Sequence, residues 1–375
     1  MSMGTVAVIF GGPSPEHEIS ILTGLQAERV LTDGGYTVVP IYFAPSGVWH
    51  MVPANTEATD YLEGSPQGSQ PLDLKIGEAG GFWVKKGLGQ KKLAIDAALL
   101  CFHGGAGEGG GAAFLMELLD IPHTGSTLYA GAVGMDKLAF GAMMAGANIP
   151  TLPRTHLSEN HQPNFPGPYI VKPRFGGSSI GIEVVENLDT AKALMSSVHL
   201  KNGAVVEPYR ADLVDLNIAF RTYPDLQITP VERPLRDTGS AQGLYSYQEK
   251  YLQGPGGGLT HAPREFPANV PESLTKRAEE LVRQVADVTR LTGVVRVDLL
   301  WDESQGDLYV NEVNTIPGAL SLYLWTQTTT AFQVLHDALT EATTRRVVWP
   351  QAGFSQGVAL RSAGGIAQKL TGMSG

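Results

Sequence analysis

The chain has 375 residues, 43% hydrophobic and 17% charged, which is enough for roughly two or three domains with large cores. Lys and Arg number 27 against 37 for Asp and Glu, and this net charge of −10 gives no electrostatic footprint for nucleic acid or an anionic membrane. The single cysteine, Cys101, excludes an intrachain disulfide framework and a cysteine-based zinc site, and it agrees with a reducing, cytoplasmic compartment.

The first third of the chain alternates predicted strands and helices. Residues 6–10 form an apolar run too short for a signal peptide or membrane span, and a helical apolar spacing follows the Gly/Pro turn at 11–15. Further strands are predicted over 37–43 and 94–102, with loops and a hairpin over 45–89 between them. This alternation predicts an open, mostly parallel sheet, in which ligands bind at the carboxyl ends of the strands.

The pattern changes near residue 126. Short β-rich runs at 169–172, 181–185 and 204–207 predict a small antiparallel unit, and the strands and helices that follow predict an α+β unit. We therefore expect an α/β domain over 1–125, a small central domain over 126–207, an α+β domain over 208–350 and a mobile Gly/Ser/Ala-rich tail over 351–375.

Two glycine motifs invite interpretations that their context disfavours. Residues 105–110 match GxGxxG, but no acidic residue ends a second strand about 20 positions on, as dinucleotide binding requires. Residues 177–181 match the GxSxG of a nucleophilic serine, here Ser179, but β-branched residues follow instead of a helix. A loop over phosphates is the better interpretation of 177–181, and no P-loop motif is present.

Two adjacent predicted strands carry a set of oxygen ligands. Glu312 and Asn314 share one strand face, and Asp298 lies across the hairpin within reach of them. Two carboxylates and an amide oxygen suit Mg²⁺ bound together with substrate phosphates. The alternative is an ordinary solvated sheet face, which the apolar flanking residues disfavour because buried strands seldom carry unpaired carboxylates.

Four further side chains have both a functional and an ordinary interpretation. Lys172 ends a strand beside the second glycine loop and Lys137 opens a helix, so each could neutralise a phosphate or simply be a surface cation. Glu16 could pair with a substrate ammonium or merely complement a helix dipole. His103 could contact a ligand or be a hydrogen-bonded histidine at a strand end.

Seven segments follow one another along the chain: VAVIFGGPSPEHEIS, CFHGGAGEGG, HTGSTLYAGAVGMDK, YIVKPRFGGSSIGIEVV, YQEKY, GVVRVDLL and LYVNEVNTIPG. In this order they resemble the D-alanine:D-alanine ligases of the ATP-grasp superfamily, from residue 6 to about 349. The resemblance implies a three-domain ATP-grasp fold. It also implies a reaction in which ATP phosphorylates a carboxylate and the amine of a second amino acid attacks the acyl phosphate. The products are an amide, ADP and phosphate.

The resemblance also implies site residues. For ATP they are Lys137, Lys172, Gly177, Ser178, Ser179, Lys250, Glu207 at the adenine hinge and Asp215 at the ribose. For Mg²⁺, with Mn²⁺ as an alternative, they are Asp298, Glu312 and Asn314. For catalysis they are Glu16, Ser178, Tyr251, Arg296 and the N–H of Gly318, with Lys250 and Tyr251 on a covering loop. For amino-acid binding they are Glu16, His103, Glu108 and Tyr323.

The chain departs from the family pattern where the amino acids bind. Gly109 replaces an acidic residue, and Tyr323 stands where a serine grips the carboxylate of the second D-alanine. Two functions therefore compete: a D-alanine:D-alanine ligase of peptidoglycan synthesis, and a paralogue that joins a different amine in a specialised pathway. A non-catalytic nucleotide-binding module is disfavoured because all three metal ligands and both lysines are present. Small amino acids are the expected partners of a homodimer that binds neither nucleic acid nor membrane.

Overall fold

The computed structural model describes residues 3–77, 80–235, 263–345, 357 and 360–361. The chain divides into two compact units, Met1–Thr344 and Arg345–Gly375. The predicted covering-loop residues Lys250 and Tyr251, and nearly all of the predicted tail 351–375, lie outside the described residues. Across 3–77, 80–235 and 263–345, no helix combines the length and the apolar character that a membrane crossing requires.

A mixed seven-stranded sheet forms the N-terminal part of the first unit. Its described strands are β1 Thr5–Gly11, β2 Thr37–Phe43, β3 Trp49–Met51, β4 Gln70–Lys75, β5 Gly81–Lys86, β6 Gly89–Lys92 and β7 Ala97–Leu100. Their spatial order is β6-β5-β4-β3-β2-β1-β7. Strand β1 pairs in parallel with β2 and β7, which confirms the open sheet, and the pairs from β2 to β6 are antiparallel.

The antiparallel extension begins in residues 45–89, where the sequence predicts loops and a hairpin, and ends with β6 at Lys92. The hairpin is present as β5 and β6, and β3 and β4 join it to the parallel strands. Their apolar signal is weak, because β4 buries one residue of six and β6 buries none. Strand β1, by contrast, is apolar on both faces, and each residue from Val6 to Phe10 is at most 2% exposed.

The core of this first sheet includes side chains from the far end of the chain. Helix α1 (His17–Asp33) packs on β1, and Gly24 allows the helix to lie directly against Phe10. Buried side chains between residues 316 and 339 belong to the same hydrophobic cluster, with Trp325 only 1% exposed. The C-terminal region thus completes the N-terminal core.

The central part is a small antiparallel sheet. Its strands are β8 Thr155–His156, β9 Tyr169–Pro173, β10 Glu183–Val185 and β11 Ala204–Pro208, in the order β10-β9-β11-β8. Helices α2 (Ala112–Leu118), α3 (Leu128–Met135) and α4 (Lys137–Gly146) precede it, and α5 (Leu188–Ala193) follows β10. A separate hydrophobic cluster that includes Val171 and Val206 forms the core of this unit, as expected for an antiparallel unit.

A second antiparallel sheet carries the C-terminal residues of the site. Its strands are β12 Val214–Arg221, β13 Gln227–Ile228, β16 Val294–Trp301 and β17 Leu308–Asn314, and a separate pair is formed by β14 Arg233–Pro234 and β15 Arg264–Glu265. Helix α6 (Glu272–Thr289) packs against this sheet through Leu274, Ala278, Leu281, Val282 and Val285, the spacing of one helical face. Helix α7 (Ala331–Thr344) follows, so the predicted α+β character is confirmed.

Candidate active site

The three larger sheets, through their strands and the loops that follow them, and the β14–β15 pair all contribute to one cavity of about 180 Å³. The described residues that the sequence predicts for the site all line it: Glu16, His103, Glu108, Lys137, Lys172, Gly177, Ser178, Ser179, Glu207, Asp215, Arg296, Asp298, Glu312, Asn314, Gly318 and Tyr323. Positions as far apart in the sequence as Glu16 and Tyr323 thus converge in space. Their individual roles remain predictions from the resemblance.

Strands β9 and β11 place Lys172 beside Glu207 at one end of the cavity. Lys172 Nζ donates a hydrogen bond to Glu207 Oε2 at 2.8 Å, and Glu207 is 1% exposed. Burial alone would raise the pKa of Glu207, but the neighbouring cations Arg154 and Lys172 outweigh burial and leave the pKa below its ordinary value. Glu207 is therefore a buried, ionised carboxylate that can accept hydrogen bonds.

Lys137 links the second glycine loop to the C-terminal sheet. It opens α4, where Asp136 caps the helix by accepting hydrogen bonds from the N–H groups of Leu138 and Ala139. Lys137 Nζ donates to the carbonyl oxygen of Gly176 at 2.6 Å and lies 2.9 Å from Glu312 Oε2. One lysine thus contacts both the loop and a predicted metal ligand.

The paired strands β16 and β17 bring the predicted metal ligands together. Asp298 lies directly opposite Glu312, and Arg296 opposite Asn314. Arg296 donates to both oxygens of Asp298 at 2.6 and 2.9 Å, and Asn314 Nδ2 donates to Asp298 Oδ2 at 3.1 Å. The predicted position of Asp298, across the hairpin and within reach of Glu312 and Asn314, is confirmed, and the register places it directly opposite Glu312.

A β-bulge adds a residue that the alternation rule misses. The register passes from Asp298 opposite Glu312 to Leu299 opposite Val310, so Asn311 has no partner position on β16. Asn311 and Glu312 therefore both line the cavity although they are adjacent. Asn311 Oδ1 also accepts a hydrogen bond from Lys172 Nζ at 3.4 Å.

The residues present fit a magnesium ion that is shared with phosphate. Among the described residues no group of three or more His, Cys, Asp and Glu side chains could hold a metal by itself. Asp298 and Glu312 supply two carboxylates and Asn314 an amide oxygen. Mg²⁺ commonly takes one or two carboxylates and completes its shell with phosphate oxygens and water, so this ligand set suits a metal that binds with the nucleotide.

Two carboxylates approach each other where α1 and the first glycine loop begin. Ser178 Oγ donates a hydrogen bond to Glu16 Oε1, and Gly104 N donates to Glu108 Oε2 at 2.8 Å. Gly104 has φ +67°, and a Cβ there would overlap Glu16 Oε2, so only glycine fits. Burial, and then the charge of Glu16, raise the pKa of Glu108 to about 8.

His103 is held as a neutral imidazole. Thr23 Oγ1 accepts a hydrogen bond from Ala319 N at 3.1 Å and shares a second hydrogen bond of 2.8 Å with His103 Nε2. Burial, and then the positive charge of Arg296, lower the pKa of His103 to about 4. Thr23 therefore connects α1 both to His103 and to the backbone at Ala319, and the neutral His103 adds no charge.

Tyr323 has neighbours that the sequence did not reveal. The guanidinium carbon of Arg264 lies 4.2 Å from the centre of the Tyr323 ring, and Arg264 Nη1 lies 3.0 Å from Glu232 Oε1. Asn217 Nδ2 donates to Glu232 Oε2 at 2.9 Å. Asn217 lies on β12, Glu232 directly precedes β14, Arg264 opens β15, and Tyr323 lies in the 3-10 helix Gly318–Trp325 after β17, so no local motif signals them.

The buried carboxylate of Glu207, two lysines beside the second glycine loop and oxygen-bearing side chains on paired strands form the arrangement expected of an ATP-grasp ligase. Enzymes of this class use ATP to join a carboxylate to an amine through an amide bond. Two family models match the chain, "D-ala D-ala ligase N-terminus" over residues 5–126 and "D-ala D-ala ligase C-terminus" over residues 132–341. The chain belongs to the D-alanine–D-alanine ligase family.

Individual relatives agree over nearly the whole chain. The D-alanine–D-alanine ligase of Kineococcus radiotolerans is 32% identical over 91% of this chain and 96% of its own length. That of Thermosipho melanesiensis is 28% identical over 89% and 92%. Among solved structures, the D-alanine-D-alanine ligase of Coxiella burnetii has a TM-score of 0.75 at 20% identity over 92% and 95%. The VanG D-Ala:D-Ser ligase of Enterococcus faecalis has a TM-score of 0.73 at 23% identity over 90% and 99%.

Proposed function

We propose that the chain joins two molecules of D-alanine into a dipeptide, coupled to the conversion of ATP to ADP and phosphate, for peptidoglycan synthesis. The names of its relatives support D-alanine as the substrate. The observation that carries the proposal is the cavity itself. It contains lysines and carboxylates suited to a nucleotide together with Glu16, which is suited to a substrate ammonium.

The first step transfers the γ-phosphoryl group. A carboxylate oxygen of the first D-alanine attacks the γ-phosphorus, the bond to the β-phosphate oxygen breaks, and ADP and an acyl phosphate form. Lys137 and Lys172 offset phosphate charge, and Glu207 and Asp215 contact adenine and ribose. A magnesium ion held by Asp298, Glu312 and Asn314, with Mn²⁺ as a possible substitute, supplies charge neutralisation at the phosphates.

The second step forms the amide. The neutral amine of the second D-alanine attacks the acyl carbon and the carbonyl oxygen becomes an oxyanion. The carbonyl then re-forms as the C–O bond to phosphate breaks, and the nitrogen gives its extra proton to the leaving phosphate. Arg296 and the N–H of Gly318 stabilise that oxyanion, while Glu16, held by Ser178, fixes the ammonium of the first substrate. Tyr251, on the predicted covering loop, excludes water that would hydrolyse the acyl phosphate.

ADP release tests this proposal. We expect release with ATP, Mg²⁺ and D-alanine, D-alanyl-D-alanine detected by mass spectrometry, and no release with L-alanine. Release only with another amino-acid pair would instead identify the paralogue with a different acceptor, which Tyr323 would then explain. No release with any amino acid would contradict the enzymatic function.

We also propose a cytoplasmic homodimer with the domain boundaries 1–125, 126–207 and 208–350. The buried free thiol of Cys101 is compatible with a reducing compartment. Light scattering of the purified chain measures its mass, and a mass near 40 kDa instead of twice the 39.9 kDa of one chain would contradict the dimer. Limited proteolysis maps the boundaries through the positions of the first cuts.

A further inference from the structure

The side chain of Arg154 lies directly behind the cavity wall, where it is 3% exposed. Its guanidinium reaches three elements of the site at once. Nη1 donates to the carbonyl oxygen of Lys137 at 3.0 Å, and Nη2 donates to the carbonyl oxygen of Asn311 at 2.9 Å. Nε lies 3.4 Å from Glu207 Oε1. Arg154 thus connects α4, β17 and β11 without lining the cavity.

The contact with Lys137 concerns the start of α4. Lys137 O lies in the first turn of the helix, from which the Lys137 side chain reaches Gly176 and Glu312. A hydrogen bond to this carbonyl from a rigid, planar donor fixes the backbone on which the lysine is mounted. The position of Lys137 Nζ therefore depends on Arg154.

The contact with Asn311 concerns the β-bulge. Asn311 has no partner position on β16, and Arg154 Nη2 donates to its carbonyl oxygen. The bulge directs the adjacent side chains of Asn311 and Glu312 into the cavity. By bonding to the extra residue, Arg154 stabilises the backbone shape that presents Glu312.

The contact with Glu207 concerns charge. Glu207 lies between two cations, with Lys172 Nζ at 2.8 Å from Oε2 and Arg154 Nε at 3.4 Å from Oε1. A buried carboxylate that loses its last cation is strongly disfavoured. When Lys172 turns toward a phosphate, Arg154 remains beside Glu207 as its counter-charge.

The neighbouring helix leaves space for this arginine. Gly141 lies on α4, one turn after Lys137, and a Cβ at this glycine would overlap Arg154 Cδ and lie 2.6 Å from Nε. The φ angle of Gly141 is an ordinary helical one, so backbone conformation does not require glycine here. Gly141 and Arg154 form a matched pair in which the glycine provides the channel for the arginine stem.

We propose that Arg154 is a positioning residue for nucleotide binding: it holds the backbone of Lys137 and Asn311 in place and neutralises Glu207 when Lys172 contacts phosphate. This inference rests on the proposed function, because it assumes that the nucleotide lies between these residues. It goes beyond that function in assigning a role to a buried residue outside the cavity.

Arg154→Met, which keeps most of the side-chain volume, tests the charge and the hydrogen bonds together. We expect the KM for ATP to rise about tenfold or more, while the KM for D-alanine stays within about twofold. The matched control is Arg221→Met, because Arg221 is also buried, pairs with Asp337 at 2.6 Å and does not line the cavity. That control is expected to lower the melting temperature without changing the KM for ATP.

Two further variants separate the contributions. Arg154→Lys keeps a cation beside Glu207 but loses the fork to the two carbonyl groups, so its KM for ATP should lie between those of the native chain and Arg154→Met. Gly141→Ala keeps every charge and displaces the arginine stem, so it should raise the KM for ATP several-fold, and add nothing in an Arg154→Ala background. This variant also tests the proposal if Arg154→Met does not fold.

The outcomes are distinguishable. If the native chain releases ADP and Arg154→Met and Gly141→Ala both keep the native KM for ATP, the positioning role is wrong and the proposed function stands. An equal rise of both KM values, or a lowered melting temperature alone, would also overturn the role, since it would show a general structural effect. If the native chain releases no ADP, the proposed function itself fails. Independently of turnover, competitive displacement of a fluorescent ATP analogue measures the nucleotide affinity of each variant directly.

Discussion

The two ends of the cavity balance their charges in opposite ways. The nucleotide end is the part proposed to bind ATP, formed by Lys137, Lys172, Glu207, Asp298 and Glu312, and there each lysine is already paired with a carboxylate at 2.8 or 2.9 Å. The amino-acid end is the part proposed to bind the amino acids, formed by Glu16, His103, Glu108, Arg264 and Tyr323, and there burial, followed by the charge of Glu16, raises the pKa of Glu108. The nucleotide end must therefore open ion pairs to bind anions, whereas the amino-acid end favours the arrival of a cation such as an ammonium group.

Removing Glu312 should have the largest effect and should act through the nucleotide end alone. We expect Glu312→Ala to lower kcat for ADP release roughly 100- to 1,000-fold, because a metal ligand and the partner of Lys137 are both lost. Steady-state kinetics with saturating ATP and D-alanine measure this. Glu280→Ala, which removes only an exposed carboxylate paired with Arg277, is the control. Undiminished turnover in Glu312→Ala would contradict the assignment of Glu312 as a Mg²⁺ ligand.

Replacing Tyr323 should act through the amino-acid end alone. We expect Tyr323→Ser to raise kcat/KM for D-alanine as acceptor by about tenfold, because the phenol next to Arg264 occupies space that a small hydroxyl would leave open. Initial rates at varied D-alanine and fixed ATP measure this. Tyr323→Phe keeps the ring and should leave the value unchanged. If the serine variant also shows no change, Tyr323 does not occupy the acceptor position.

The third prediction concerns stability and tests the raised pKa of Glu108 at the amino-acid end. The pKa of Glu108 is raised from 4.5 to about 8, so the folded protein binds more protons than the unfolded chain between these values. The stabilisation by protonated Glu108 is complete below about pH 4.5, declines as the pH rises and is lost above about pH 8.

Urea unfolding at pH 5, 6, 7 and 8 measures this dependence. We expect the free energy of unfolding of the native chain to fall relative to Glu108→Gln by up to about 1.4 kcal/mol per pH unit. The difference in the free energy of unfolding between the native chain and Glu183→Gln, a change at an exposed position on β10, should show no such slope. A difference between native chain and Glu108→Gln that is constant with pH would contradict the raised pKa.

The sequence predicts the nucleotide end well because its residues lie on strongly apolar, regular elements. Strands β16 (Val294–Trp301) and β17 (Leu308–Asn314) are the two adjacent strands on which the sequence places the oxygen ligands. Alternation along β17 correctly places Glu312 and Asn314 on one face. It misses Asn311, because the bulge that turns this residue toward the cavity arises from the pairing of two strands and has no local signature.

Arg154, Arg264 and Glu232 were not predicted from the sequence, because their contacts join segments that are far apart in the chain. Arg154 follows a proline in a short irregular stretch, and its partners Glu207 and Asn311 lie 53 and 157 residues further on. Arg264 and Glu232 meet Tyr323 through a two-stranded pair too short to show periodicity. Propensity and spacing describe residues that are neighbours in the sequence. The contacts of Arg154, Arg264 and Glu232 exist only once the sheets have packed together.

The contribution of the C-terminal region to the first core has a consequence for synthesis on the ribosome. The N-terminal sheet emerges early, but Leu320, Trp325 and Leu339, which belong to its hydrophobic cluster, emerge more than 200 residues after β7. Until then the nascent chain carries a sheet with an incomplete apolar face. We expect ribosome-bound chains that end before residue 316 to be captured by chaperones and to be readily cleaved by proteases, and full protection to come only with the last helix of the first unit.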